Sequence, residues 1–233
     1  MFDVAFADRA VFLPRADVLV VADLHVGRAA ASDVEVPLGE RADLTERLDA
    51  VLDRFSPGRV VVAGDVLHEF GRVSHRAAET LDTLDATCRA AGAELVLVTG
   101  NHDGMLETVW DGERHDGYRV DDGDRTVLVC HGHEEPSEEA DRYVVGHDHP
   151  TITIEGQRRP CFLAGEAVYH GSDVLMLPAF SRVASGVEIN GMRARDFQSP
   201  LVTDADALRP VVWDPGGEDA LTFPPLGRFR KLL

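Results

Sequence analysis

The chain has 233 residues, of which 44% are hydrophobic, and its 41 acidic and 23 basic residues give a formal net charge of −18 at pH 7. This hydrophobic content excludes an intrinsically disordered chain, and the length suffices for one large α/β domain with a sizeable core. No stretch approaches the roughly 20 apolar residues that cross a bilayer, so we expect no membrane span.

The charge is carried by an unusual set of side chains. Lys231 is the only lysine, so nearly all of the positive charge is arginine. Such an acidic surface has two interpretations: repulsion of polyanions, or adaptation to a cytoplasm of molar salt, which we favour. At about 1 M salt the Debye length is about 3 Å, so the acidity does not exclude a nucleic-acid substrate. Adaptation to salt predicts that self-repulsion lowers stability at low salt.

Cysteine usage bears on the compartment. Cys88, Cys130 and Cys161 are an odd number, are widely spaced and form no CxxC pair. They predict no disulfide framework and favour a reduced, intracellular setting. Cys130 precedes a candidate ligand and is predicted to point away from it, into the core. The N-terminal residues lack the basic and long apolar regions of a signal peptide, so we expect a cytoplasmic protein.

The first hundred residues alternate between strand and helix patterns. The predicted elements are an edge strand over 2–13, a buried strand over 17–22, a helix over 40–55, a strand over 59–63, a helix from an N-cap at Ser74 to about Ala91 with Gly92 as C-cap, and a strand over 94–99. This alternation predicts a mainly parallel sheet with right-handed crossovers. Residues 29–37 have no clear period and are interpreted as a loop beside the substrate cleft.

The second half of the chain has a different pattern. Residues 117–131 and 142–180 contain short strands separated by Asp/Gly turns, which predict a second, more antiparallel sheet. The expected fold is α/β, a four-layer α-β-β-α sandwich of two mixed sheets. Residues from about 190 to 233 are weakly patterned and predict an irregular C-terminal tail. We expect a single domain over 1–233, with its motifs in about 17–180.

Side chains that bind metals follow five of the predicted strands directly. The five points are Asp23-Leu24-His25, Gly64-Asp65, Gly100-Asn101-His102-Asp103, His131-Gly132-His133 and Gly146-His147-Asp148-His149. Each alone has an ordinary explanation as a turn, a helix cap or a core histidine. However, sites in open α/β sheets form outside the carboxyl ends of strands, where five such ends can converge. Together these ligand types predict a divalent metal site.

The same residues meet the requirements of a two-metal hydrolase. Two ions about 3.5–4 Å apart can share a water, lower its pKa to near 7 and clamp a phosphoryl group for in-line attack. Asp65 is the candidate for the carboxylate that bridges the ions, and neutral imidazoles can hold them without repelling phosphate. His102, beside Asn101, is the candidate acid near the leaving oxygen.

In this order, the five motifs resemble those of the calcineurin-like metallophosphoesterases over about residues 17–180. The resemblance implies the metallophosphoesterase fold and two divalent ions, with manganese expected and iron, zinc or cobalt compatible with the ligands. It implies that one metal is held by Asp23, His25, Asp65 and His149, and the other by Asp65, Asn101, His131 and His147. It also implies that His102 protonates or stabilises the leaving oxygen and that Asp103 orients His102.

A narrower resemblance is carried by the strings at 22–27, 64–70 and 146–150. They look similar to an archaeal branch related to the nuclease subunit of double-strand-break repair complexes and to ligase- or helicase-associated phosphoesterases. This implies a nucleic-acid substrate, a role in DNA repair or RNA processing, and a helicase or ligase partner.

Three further residues keep open interpretations. His68 stands where many relatives of the family have Asp, as the last residue of Gly-Asp-x-x-Asp; it can orient a ligand, contact substrate or begin a helix. His133 can contact substrate phosphate or lie in a loop. Arg28 can bind phosphate with both of its terminal nitrogens or form a surface ion pair.

We therefore expect a phosphodiesterase in which a hydroxide shared by two metals attacks phosphorus. One alternative is a phosphomonoesterase of small metabolites or nucleotides, which the sequence separates poorly from the first. The other alternative is a non-catalytic scaffold on the same fold. A scaffold of this kind would be indicated by loss of the ligands or of His102. All of these residues are present. The sequence makes no prediction of oligomeric state.

Overall fold

The computed structural model describes residues 2–28, 39–68 and 73–231. Its first sheet has six strands, which lie side by side in sequence order: β1 (Ala5–Ala7), β2 (Ala10–Leu13), β3 (Val18–Val21), β4 (Arg59–Ala63), β5 (Glu94–Val98) and β6 (Arg114–His115). Strands β3 to β6 are parallel, which confirms the predicted arrangement, and β1 and β2 are antiparallel. The single edge strand over 2–13 was a wrong prediction, because Asp8 turns the chain with a φ of 50° and makes a hairpin.

Two helices cover one face of this sheet, α1 (Glu40–Phe55) and α2 (His75–Ala90). Their apolar side chains share one buried cluster with alternate residues of β3, β4 and β5. As predicted, Ser74 caps α2: its hydroxyl accepts the Ala77 N–H at 3.2 Å. The C-cap is Ala91 rather than Gly92, which follows it with a φ of 82°. Glycine supplies the left-handed conformation one residue after the cap.

The second sheet is mixed and mostly antiparallel, as predicted. It has seven strands: β7 (Gly117–Asp122), β8 (Arg125–Cys130), β9 (Arg142–Val145), β12 (Phe162–Tyr169), β13 (Ser172–Met176), β15 (Arg209–Asp214) and β16 (Asp219–Thr222). Within the described part of this sheet, only the pairs β8–β9 and β9–β13 are parallel. A third, three-stranded sheet contains β10 (Pro150–Ile154), β11 (Gln157–Pro160) and β14 (Val187–Glu188).

The C-terminal tail is not irregular, which corrects the prediction for residues 190–233. Strand β15 pairs with β12 and with β16, so both late strands extend the second sheet. The short helix α3 (Leu226–Phe229) buries Leu226 and Phe229 in a cluster on the outer face of that sheet. The backbone of β15 bonds to a strand much earlier in the chain, which a local sequence pattern does not reveal. This connection favours the single-domain prediction.

The layers follow from the buried clusters. Alternate residues of β3, β4 and β5 face those of β8, β9 and β12 in a core between the sheets, and α1 and α2 cover the outside of the first sheet. This confirms an α/β fold with two stacked mixed sheets. The outside of the second sheet is covered by the three-stranded sheet, the segment after it and α3, and Cys130 is buried in that layer as predicted.

Two further observations concern the predictions. No helix in the described part of the chain is long and apolar enough to cross a membrane. The loop expected over 29–37 lies outside the described residues.

Candidate metal centre

The candidate ligands converge where five strands of the two stacked sheets end. Asp23, Asp65 and Asn101 follow β3, β4 and β5 of the first sheet, and His131 and the 147–149 turn follow β8 and β9 of the second. Backbone bonds join these ends: the Asp23 N–H donates to Gly64 O at 3.1 Å, and the Gly146 N–H to His131 O at 3.1 Å. The structure thus brings all seven predicted ligands into one cleft.

The first group of side chains fits a metal ion. Asp23, His25, Asp65 and His149 each offer one ligand atom, and these atoms lie within 4.8 Å of one another. Nitrogen and oxygen ligands about 2.1 Å from a common ion lie up to roughly 4.2 Å apart. Small movements of the side chains would therefore close the group around an ion.

A second group adjoins the first. His131 Nε2 lies 3.0 Å from Asn101 Oδ1, 3.1 Å from His147 Nδ1 and 3.3 Å from Asp65 Oδ1. These three neighbours and His131 are the second predicted ligand set. All three contacts meet at His131 Nε2, so these four side chains are close enough to be candidates for the ligands of a second ion.

Asp65 lies between the two groups. Its Oδ1 faces His131, while its Oδ2 lies 3.9 Å from His25 Nε2, so each carboxylate oxygen serves one group. Burial and the nearby Asp23 raise the pKa of Asp65 to about 7. Burial makes this carboxylate costly to ionise, and a nearby cation stabilises the ionised form. A divalent metal ion is a cation of this kind. The position of Asp65 fits a bridging ligand.

The imidazoles are suited to bind metal at neutral pH. Burial lowers the pKa of His25 to about 3 and that of His147 to about 4, and it also lowers the pKa of His131. The rings of His25 and His147 are therefore neutral at pH 7, as metal ligands must be. His131 Nδ1 lies 3.2 Å from the Ala63 carbonyl oxygen, which can only accept a proton. Donation from Nδ1 to this oxygen would leave Nε2 with the lone pair that a metal ligand needs.

Asp23 and His149 form the charged pair of the first group. His149 Nε2 lies 3.2 Å from Asp23 Oδ1. Burial raises the pKa of Asp23, but the charge and the hydrogen bond of His149 outweigh burial and hold that pKa below its usual value. Burial lowers the pKa of His149, but Asp23 outweighs it and raises that pKa. Asp23 and His149 therefore each favour the charged form of the other.

The backbone at the centre is strained. Asp23, His25, Asp65, His147 and His149 have φ values between 47° and 73°, a left-handed conformation that non-glycine residues adopt rarely. Such residues cost about 1–3 kcal/mol each and persist where the surrounding structure holds them. Their concentration here indicates a functional site.

Three motif glycines make room for the ligands. A Cβ on Gly64 would lie 2.4 Å from His131 Nδ1, and one on Gly146 would lie 2.5 Å from Asp23 Oδ2. A Cβ on Gly100 would lie 2.3 Å from Asp65 Oδ1 and 2.4 Å from the Asp65 backbone nitrogen. Each glycine therefore leaves the space that a candidate ligand from another strand end occupies.

His102 and Asp103 occupy different parts of the cleft. His102 Nε2 lies 3.8 Å from Asp65 Oδ2, and the imidazole is partly exposed. Buried Asp103 accepts the N–H groups of Gly100 at 2.8 Å, Leu67 at 2.8 Å and Val66 at 3.2 Å. Asp103 thus ties the turn after β4 to the turn after β5.

Two other histidines line the cleft. The ring of His68 packs against those of His25 and His102 at 5.3 and 5.5 Å, so its position fits orientation of a ligand or substrate contact. It does not begin α2, which starts at His75. The ring of His133 lies 5.2 Å from that of His131, in a loop at the edge of the cleft.

Asp148 has a structural role that its sequence context did not predict. This buried carboxylate accepts the N–H groups of Gln198 and Ser199 at 2.8 and 3.0 Å, so it fastens the 147–149 turn to the C-terminal segment. Its place between two candidate ligands was the only available signal. Its hydrogen-bond donors lie 50 residues away and could not be identified from spacing.

Comparisons with known proteins agree with this geometry. The model of the calcineurin-like phosphoesterase family matches residues 16–181. A nuclease MPE from Pseudomonas putida is similar with 26% identity and a TM-score of 0.61, covering 89% of this chain and 90% of that one. The phosphoesterase YfcE from E. coli is 14% identical with a TM-score of 0.46, covering 89% and 98%. A comparison with curated proteins gives no significant match.

Proposed function

The chain belongs to the calcineurin-like phosphoesterase family and is a metal-dependent hydrolase, and from this premise we propose that it hydrolyses phosphodiester bonds in nucleic acids. The observation that carries the proposal is the pair of ligand groups that meet at Asp65, each on one carboxylate oxygen. The similarity to a nuclease over 89% of the chain supports the choice of a nucleic-acid substrate.

The residues have distinct tasks in this proposal. Asp23, His25, Asp65 and His149 would hold one divalent ion, and Asp65, Asn101, His131 and His147 would hold the other. Bound there, the ions supply positive charge that polarises a phosphoryl group and lowers the pKa of water. Near these ligands, the Ala63 carbonyl oxygen contacts His131 Nδ1 and favours the tautomer with a hydrogen on that nitrogen. Asp103 accepts the Leu67 N–H and so fixes the loop that carries Asp65.

His102 serves the leaving group in this proposal. Its ring lies beside Asp65 but stays partly open to the cleft, so its Nε2 can reach an oxygen of bound substrate. Burial and the cation of Arg28 lower the pKa of His102. A substrate phosphate would oppose both effects and favour the protonated ring that donates to the departing alkoxide.

Arg28 is proposed to bind substrate phosphate. Its positive charge opposes protonation of His25, His102 and His149, which indicates that the guanidinium lies near these rings. Among residues 2–28, 39–68 and 73–231, no carboxylate forms an ion pair with Arg28. The alternative interpretation of Arg28, a surface ion pair, therefore has no partner among these residues. A guanidinium can bind two phosphate oxygens at once.

The experiment compares hydrolysis of bis-p-nitrophenyl phosphate and p-nitrophenyl phosphate in molar KCl, with and without manganese. Manganese-dependent cleavage of the diester above the monoester is the expected result and would lead to DNA and RNA substrates. A preference for the monoester would replace the proposal by a small-molecule phosphatase. No hydrolysis of either compound by protein shown to bind two metals would favour a scaffold.

Three finer proposals rest on the sequence resemblance. They are manganese as the native metal, the DNA-repair or RNA-processing branch with a helicase or ligase partner, and a cytoplasmic location. The first is tested by reconstituting metal-free protein with manganese, iron, zinc or cobalt and comparing turnover. The second is tested by co-purification with a helicase or ligase from the source cells.

A further inference from the structure

A cleft beside His149 combines three arginines with no carboxylate. Arg9, Arg158 and Arg182 line a cavity of about 210 Å³ that also includes His149, and we name these four residues the arginine cleft. Three other clefts formed by the described residues each contain at least three acidic side chains. Arg182 Nη1 is paired with Asp43 Oδ1 at 2.9 Å, so the uncompensated positive charge of the cleft is that of Arg9 and Arg158.

Neutral acceptors hold two of these arginines. Arg158 donates through Nε to Thr151 Oγ1 at 2.8 Å and through Nη2 to Gly186 O at 2.6 Å. Arg9 Nη1 donates to the carbonyl oxygens of Ala179 and Ser181 at 2.9 and 2.8 Å. Neither forms an ion pair within the part of the chain that the structure describes. These bonds position the guanidiniums without cancelling their charge, so the cleft is prepared for an anion.

The arginine cleft is fastened to the metal centre. Gly186, which accepts from Arg158, has a φ of 65°, and a Cβ there would lie 2.6 Å from His149 O. The next residue, Val187, donates its N–H to the same oxygen at 3.0 Å. The wall of the cleft therefore lies directly against the backbone of His149, whose side chain belongs to the first ligand group. An anion in the cleft would adjoin a phosphate held at the metal centre.

We propose that the arginine cleft binds the phosphate adjacent to the one hydrolysed, in a single-stranded polynucleotide; this rests on the proposed function. Neighbouring phosphates of a polynucleotide are separated by a single nucleoside. One phosphate could therefore lie at the metal centre while the next lies in the arginine cleft. The remaining wall includes Pro150, Pro160 and Pro178, whose rings offer an apolar surface to a sugar or base. A monoester or isolated diester would use only the metal centre, so the cleft selects a longer substrate.

The test uses two neighbouring arginines of β11. Arg158 lines the cleft, whereas Arg159 points to the opposite side of the strand and bonds to Gln157 at 2.8 Å. Both side chains are exposed, so Arg158→Gln and Arg159→Gln should fold equally well and change net charge equally. Binding of a fluorescent 12-nucleotide oligothymidylate to metal-free protein is measured by anisotropy at several KCl concentrations. Circular dichroism confirms that each variant is folded.

Arg158→Gln is expected to weaken binding about tenfold, the effect of losing one charge-assisted hydrogen bond. It should also reduce the slope of log K against log [KCl] by about 0.7, the value for one phosphate of a single strand. Arg159→Gln should leave affinity within about twofold of wild type, since Arg159 lies outside the cleft.

Equal effects of the two variants would overturn the proposal, because they would indicate general attraction by charge. So would failure of the wild-type protein to bind the oligonucleotide. Displacement of the oligonucleotide by ATP at a similar concentration would reassign the cleft to a nucleotide with linked phosphates. Failure of the proposed function is recognised separately, as absent diester hydrolysis by metal-loaded protein, because the binding assay requires no turnover.

Discussion

Substitution of Gly100 by alanine tests whether close packing fixes the bridging carboxylate. The added Cβ would lie 2.3 Å from Asp65 Oδ1, whereas ordinary contact begins at 3.4 Å, so Asp65 or the turn must move by about 1.1 Å (3.4 − 2.3). The Asp65 backbone nitrogen, at 2.4 Å, prevents relief by rotation of the side chain alone. Misplacement of a reacting group by about 1 Å can cost about 10²-fold in rate.

We therefore expect Gly100→Ala to lower kcat/KM for bis-p-nitrophenyl phosphate about 10²-fold and to weaken manganese binding in calorimetry. Overpacking should also lower the free energy of unfolding by about 1–3 kcal/mol. For a chain of this size, each kcal/mol corresponds to about 2–4 °C in Tm, so Tm should fall by roughly 2–12 °C. Calorimetry of metal binding keeps the test valid if the wild-type protein hydrolyses a different ester.

Gly104→Ala is the matched control in the same turn. Nothing lies within 4 Å of a Cβ at that position. The control should keep wild-type activity and metal affinity. Its free energy of unfolding should rise by about 0.4–1 kcal/mol, because alanine restricts the unfolded chain. If the two variants behaved alike in activity, metal binding and Tm, the argument from close packing would be refuted.

Three further predictions concern the centre and the charge. Asp65→Ala should abolish manganese binding and diester hydrolysis together, because both ligand groups lose a member; retention of two bound metals in calorimetry would contradict the bridging position. His102→Ala should still bind metal but lower kcat by about 10²–10⁴-fold, and unchanged turnover would exclude its role as an acid. Tm should rise with KCl up to molar concentration, since salt screens a net charge of −18; a flat curve would exclude adaptation to salt.

Local signals in the sequence identified the main elements of the first sheet and the candidate ligands. The helix predicted over 40–55 is Glu40–Phe55 in the structure, and the Ser74 cap was correctly identified. Hydrophobic periodicity and capping residues act within a few positions of one another, so one segment contains the information. The motif residues were equally visible because each directly follows a buried strand.

Other features depend on residues that are distant in sequence. The late strand β15 was missed because its partner β12 comes from another segment of the second sheet. The bonds that the Asp103 and Asp148 carboxylates accept from backbone N–H groups could not be predicted, because only folding brings those groups to them. Arg9 and Arg158 are 149 positions apart, and nothing in either local sequence indicates that they share a cleft.

The sequence by itself determined the ligand types and the strands that carry them, because chemical identity and hydrophobic pattern are local properties. Only the tertiary structure decided that each oxygen of Asp65 faces a different ligand group and that arginines adjoin His149. Those arrangements arise from the stacking of two sheets, which brings the ends of β3, β4 and β5 against those of β8 and β9. Distances across such a junction depend on packing between segments, which no single segment encodes.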